Sequence, residues 1–266
     1  MTGIQTINRS GSRFYVHPDD SSRKAPSVTS IVAMLPKPFL TTWAAKLTAE
    51  NAIANLGSIV DLALTDRAGA IDYMKGAHRR TTQAAADVGT EVHELFERVA
   101  RGEIVRGVHP DLRPYLEHIQ DFHDHYQPEH RHIEDAVWSD THDYAGSFDA
   151  ISDIDGETVI FDVKTTRSGV HEDVALQLSA YAHADRIIKQ DGQSQPMTEI
   201  HAAAVLHLRP EGWRVVPVRA DDEVLSYFLH LRKIFDWNSD VAKTVIGKPD
   251  YESVASTGAQ RRKSKR

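Results

Sequence analysis

Apolar residues at alternating positions, set off by paired turn residues, predict β-hairpins separated by helices. Ile4, Ile7, Phe14 and Val16 flank Ser10-Gly11, so residues 4–17 should form a hairpin turning there. Residues 26–52 carry helical periodicity broken at Pro36 and Pro38. Helices are expected over 82–100, ending at Gly102, over 110–126 and over 172–189, with a strand over 133–139. Strands 199–208 and 213–218 join around Pro210-Glu211-Gly212, and an acidic start opens a helix over 221–237. This order suits an α/β sandwich with a central mixed sheet. It divides the chain into a hairpin and helical region (1–81), a core (82–237) and a polar tail (238–266) whose basic end is expected to be disordered.

The chemistry concentrates in one hairpin. Asp155-Gly156 is a two-residue turn signal between runs rich in Ile, Val and Phe. With those two residues as the loop, Ile154 faces Glu157 and counting outward brings Asp149 opposite Asp162. Cross-strand partners have Cβ atoms roughly 4.5 to 5.5 Å apart, where like charges destabilise. Lys164 falls on the same face, while Phe148, Ala150, Val159, Phe161 and Val163 fall on the other and can pack a core. A divalent cation would offset the repulsion, and hard oxygen ligands suit Mg²⁺ or Mn²⁺. Lys164 beside such an ion can orient or help deprotonate a water, or neutralise charge on a phosphate, which is the chemistry of phosphodiester hydrolysis. The plainer reading is an exposed hairpin with a surface Lys164–Asp162 pair.

In the following helix, Val174, Leu178, Tyr181, Ala182 and Ile188 are apolar, and Gln177 shares a face with Tyr181 at i, i+4. Gly146-Ser147-Phe148-Asp149, Asp162-Val163-Lys164 and the Gln177-x-x-x-Tyr181 spacing together resemble the PD-(D/E)XK nuclease superfamily, in its RecB-like and phage-exonuclease branch. The resemblance spans residues 26 to about 237 and implies a restriction-endonuclease-like core, with a central mixed β-sheet flanked by helices. Gly89 to Leu95 resembles that branch's Gly-x-x-x-His helix and makes His93 a metal ligand, with Gly89 kept for close approach. Asp149, Asp162 and the backbone carbonyl of Val163 are the other implied ligands of two ions, and Lys164 positions the water. Gln177 and Tyr181 are implied to position the DNA strand or the catalytic loop. Pro26 to Thr29 and Trp43 to Lys46 are similar to the N-terminal region of phage and mitochondrial genome-maintenance exonucleases, which implies that Trp43 and Lys46 shape a DNA channel. The alternative is a core Trp43 and a surface Lys46. The implied partners are linear DNA with a single-stranded end and a recombination or single-strand-binding protein.

Composition narrows this picture without choosing it. At 266 residues, with 41% apolar and 26% charged, the chain can bury one good core or at most two small ones. No apolar run reaches ~18 residues and the N-terminus lacks a leader-like apolar stretch, so a cytoplasmic protein without a membrane partner is expected. The absence of cysteine excludes disulfides and a Cys-ligated iron–sulfur cluster, which several RecB-like relatives carry. A net charge of -7 argues against general polyanion binding, but the bases are grouped at Arg23-Lys24, Lys37, Lys46, Arg79-Arg80 and the C-terminal end. His118, His123, His125, His130 and His132 enrich one segment, yet without a Cys partner or an H-E-x-x-H frame they do not define a zinc site. Glu134 either faces the acidic site or is an edge charge. The expected activity is a metal-dependent DNA exonuclease. A catalytically inactive DNA-binding recombination partner and an endonuclease on the same fold remain alternatives, though no helix-turn-helix or zinc module is visible for reading bases.

Overall fold

The computed structural model describes residues 4–251. Strands β1 (Thr6–Arg9), β2 (Ser12–Val16) and β3 (Lys24–Pro26) form a small antiparallel sheet, turning at Ser10 and Gly11 with φ of 52° and 82°. Helices α1 (Val28–Val32), α2 (Phe39–Ala54), α3 (Leu56–Thr65), α4 (Arg67–Lys75), α5 (Ala77–Ala100) and α6 (Arg113–Tyr126) follow. Pro36 and Pro38 separate α1 from α2, as their missing N–H groups require. The remaining elements are β4 (Glu129–Ile133), β5 (Ala136–Ser139), β6 (Tyr144–Ser147), β7 (Ala150–Ile154), β8 (Glu157–Lys164), α7 (Asp173–Ala182), β9 (Arg186–Ile188), β10 (Ser194–Pro196), β11 (Ala202–Arg209), β12 (Gly212–Val218) and α8 (Asp222–Ser239). Asp221 caps α8, its Oδ1 accepting the Val224 N–H at 3.1 Å.

The molecule is a mixed α/β structure around a five-stranded mixed sheet ordered β12-β11-β8-β7-β4. β8 and β11 run parallel, which requires the long connection through α7, β9 and β10. A second, antiparallel sheet is ordered β10-β9-β5-β6. One face of the five-stranded sheet packs Ile151, Ile160 and Val205 against Val174, Leu178, Tyr181 and Phe228. The other packs Ala150, Phe161, Val163 and Leu206 against Val92, Leu95, Phe96, Ile119 and Phe122.

Both faces of the central hairpin are therefore covered, which corrects the expectation of one greasy and one polar face. β8 is buried from Thr158 through Val163, and the acids occupy only the end of the α7 face. Phe148 also departs from the expected parity, packing with Ile151 and Ile160. The ladder ends at Ala150, so alternation does not carry across Asp149.

Other boundaries moved as well. The strand expected over 133–139 is β4 and β5 in two different sheets, broken at Glu134-Asp135. The helix expected over 172–189 stops at Ala182, and Ile187 and Ile188 belong to β9, where they are buried. The helix expected from 82 begins at Ala77. Trp43 is not core, since α2 buries none of its residues. Among the described residues no helix is long and apolar enough to cross a membrane. The basic end of the chain lies outside the described residues.

Candidate metal centre and active site

Asp155 and Gly156 have φ of 51° and 85°, the left-handed pair of a tight two-residue hairpin turn, and they set the β7–β8 register from Ile154↔Glu157 to Ala150↔Phe161. The ladder stops there, one residue short of Asp149 and Asp162, so the expected cross-strand pair is not formed. Asp149 has left the ladder, and its Oδ2 accepts the Val163 N–H at 2.5 Å. Both carboxylates are nearly enclosed, at 9% and 4% exposure, so their charge must be met inside the protein.

Asp149 is met by α5, whose apolar face (Val92, Leu95, Phe96) docks on the sheet and turns His93 inward. His93 Nδ1 lies 3.0 Å from Asp149 Oδ1. Glu134 joins them from the β4–β5 junction, where its φ of 54° bends the chain and its N–H donates to the Asp149 carbonyl at 2.9 Å. The ligand atoms of His93, Glu134 and Asp149 all lie within 4.8 Å of one another, a donor set that could hold a metal ion.

Asp162 is met from two sides. Gln177 Nε2 donates to Asp162 Oδ1 at 2.8 Å and to the Tyr181 hydroxyl at 3.2 Å. Lys164 Nζ stands 2.6 Å from Asp162 Oδ2 and answers its charge directly.

Burial raises the Asp162 carboxyl to about 6; Lys164 opposes this and Asp149 adds to it. Burial likewise lifts Glu134 to about 8, with the Asp149 charge reinforcing it. For Asp149 burial acts upward, but the His93 charge and hydrogen bond prevail and hold it below the usual carboxylate range. Burial would depress His93, and the charge and hydrogen bond of Asp149 instead raise it to about 9. Burial would also depress Lys164, yet Asp162 and Asp149 raise it above an ordinary lysine, so it remains an ammonium.

The structure thus gathers His93, Asp149, Asp162, Lys164, Gln177 and Tyr181. Val163 contributes its N–H, while its side chain is buried. Trp43 and Lys46 are not gathered: Trp43 is half-buried on α2, and Lys46 is exposed with Nζ 3.6 Å from Glu50. Among the described residues no hydrogen bond or ion pair joins either to the cluster. Gly89 is not needed for close approach, because a Cβ there would stand an ordinary 3.5 Å from Thr165 Oγ1.

Glu134 was left open by the sequence; its only signal is a Glu-Asp pair interrupting an apolar run. The histidine-rich segment contributes no imidazole to this metal-type donor set. His123 and His130 meet through Nε2 at 3.0 Å, and their Nδ1 atoms contact the Ile119 carbonyl and Ser152 Oγ, each at 2.7 Å.

No family model matches the chain, and no curated protein matches it. A solved structure described as "Crystal structure of SSO0001" is 13% identical over 80% of this chain and 89% of that chain, with a TM-score of 0.31, an overlap too slight to carry a fold assignment.

Proposed function

We propose that this chain is a Mg²⁺- or Mn²⁺-dependent deoxyribonuclease of the PD-(D/E)XK superfamily, built on a restriction-endonuclease-like core and acting as an exonuclease of the RecB-like type. The observation that carries this reading is the meeting of two buried carboxylates, Asp149 and Asp162, at the open end of one hairpin, with Lys164 against the second. Glu134 and Asp149 offer carboxyl oxygens beside His93 in a group tight enough for one ion, and oxygen donors of that kind suit a hard cation. His93, Glu134, Asp149, Asp162 and the Val163 carbonyl would hold one or two ions. Bound there, Mg²⁺ or Mn²⁺ would supply Lewis acidity and a more acidic water.

The chain's own groups then divide the remaining work. Lys164, held as an ammonium, is suited to orient a water and neutralise charge on a phosphate oxygen rather than to act as a base. Gln177 fixes the orientation of Asp162 and braces against the Tyr181 hydroxyl. The substrate of this reading is linear DNA with a single-stranded end, in recombination, replication or repair.

The test is incubation with end-labelled linear and closed circular DNA, single- and double-stranded, in Mg²⁺, Mn²⁺ or EDTA. Cleavage should be confined to linear DNA, require metal, and fall at least 100-fold in Asp162→Ala and Lys164→Ala, the order of loss when a group stabilising transition-state charge is removed. Cleavage of closed circles would turn the reading to an endonuclease, and DNA binding without hydrolysis to an inactive partner protein.

A further inference from the structure

The row of side chains that ends the acidic site continues across the sheet in basic residues. Lys164 on β8 faces His207 on β11 in the parallel ladder, and His207 faces Arg214 on β12. Paired residues point the same way, so the three share the α7 face with Asp162. His207 is 1% exposed and both its nitrogens are engaged. Its Nε2 lies 2.8 Å from the Thr166 carbonyl, and its Nδ1 lies 3.2 Å from Arg214 Nε. A carbonyl only accepts and a guanidinium only donates, so this imidazole is neutral with its proton on Nε2. It ties Arg214 to the backbone two residues beyond Lys164.

The Arg214 side chain is exposed, and with Nε committed to His207 its terminal nitrogens remain to bind a ligand. One of them stands 3.8 Å from where a Cβ would sit on Gly169, in the loop joining β8 to α7. Arg214 lines an open recess of about 400 Å³ with His207, Arg209, Glu211, Gly212 and Trp213. Arg209 is bound to Glu211 at 3.1 Å and to the Arg167 carbonyl at 3.3 Å, whereas among the described residues no carboxylate pairs with Arg214. Neighbouring strands lie about 4.8 Å apart, which sets Arg214 roughly 10 Å across the sheet from Lys164.

We propose that Arg214, aimed by His207, binds a backbone phosphate of the same nucleic-acid strand whose scissile phosphate lies at Lys164. This rests on the nuclease reading above. A guanidinium held through Nε presents its remaining N–H groups as a fork, the geometry that phosphate takes best. His207 is the positioning residue and Arg214 the binding one.

The test uses the full chain and a fluorescein-labelled single-stranded DNA oligomer in EDTA, with anisotropy measured across a salt series. Arg214→Gln should weaken binding about 5- to 30-fold and lower the slope of log K against log salt by about 0.7 to 1, one phosphate contact. Arg214→Lys, which keeps the charge, should recover the slope. His207→Gln should weaken binding while the Arg214 charge is still present. Wild-type affinity and slope in Arg214→Gln would overturn the proposal and leave the nuclease reading standing. An equally lowered slope in Arg214→Lys, with circular dichroism unchanged, would also overturn it, because restoring the charge would then not restore the contact. Failure of the wild-type protein to bind DNA at all would remove the nuclease reading, and this proposal with it.

Discussion

Tyr181 lies so close over Gly146 that a β-carbon added to the glycine would sit 2.5 Å from Tyr181 Cε1 and 3.2 Å from Val28 Cγ2. The ring is 1% exposed and has no room to retreat, while its hydroxyl holds Gln177 beside Asp162. Gly146→Ala should therefore destabilise the protein by about 1–3 kcal/mol in urea unfolding, as overpacking does, and, on the proposed nuclease reading, reduce cleavage as Gln177 loses its brace. An unchanged unfolding midpoint would show that the ring can yield.

Gly89 is the opposite case. It sits inside α5 with ordinary space around it. Gly89→Ala should stabilise the protein by about 0.5–1 kcal/mol through helix propensity alone and leave cleavage unchanged. A loss of stability would mean that the helix approaches Thr165 more tightly than its 3.5 Å clearance implies.

At neutral pH the Glu134 carboxyl, near 8, and the His93 imidazole, near 9, both hold protons that a metal must displace. Mn²⁺ binding should then release protons at pH 7 and tighten as pH rises toward 9. Calorimetric titration in two buffers of different ionisation enthalpy counts the protons. Glu134→Gln should weaken binding by at least about tenfold, consistent with loss of one ligand in a small donor set. Titrations identical in both buffers would remove Glu134 and His93 from the ligand set.

The His123–His130 contact makes a separate pH prediction. Burial, then the neighbouring imidazole, lowers His130 to about 4 from 6.5. The unfolded chain binds more protons between those values, so this contribution is complete above pH 6.5 and lost as pH falls toward 4. It amounts to at most about 3 kcal/mol. The raised carboxyl of Asp162 acts with the opposite sign in an overlapping range, so wild type and His130→Gln must be compared. The variant should show the shallower fall in stability from pH 6.5 to 4.5 in urea unfolding. Parallel curves would sink the assignment.

The parts of this site that were legible are those governed by local rules. Asp155-Gly156 permits one tight turn, that turn permits one register, and the register runs as counted to Ala150↔Phe161, one residue short of Asp149 and Asp162. Gln177 and Tyr181 followed from i, i+4 spacing. Glu134 was not legible, because its left-handed bend uses neither Gly nor Asn and serves a partition between sheets that depends on distant strands. Ile188 matched a helical period, yet pairing with β5 outweighs that preference. Phe148 was misassigned because alternation was carried through a residue outside the ladder.

The chain passes between the two larger sheets at Glu134-Asp135 and again at Phe148-Asp149. The two crossings are laced together by Glu134 N–H to the Asp149 carbonyl at 2.9 Å and Phe148 N–H to the Asp135 carbonyl at 3.1 Å. Each crossing thus delivers one carboxylate to the same point, and the seam between the sheets runs through the ligand cluster. A cation held there would act as a rivet, tying the two sheets together at the point where the chain passes between them.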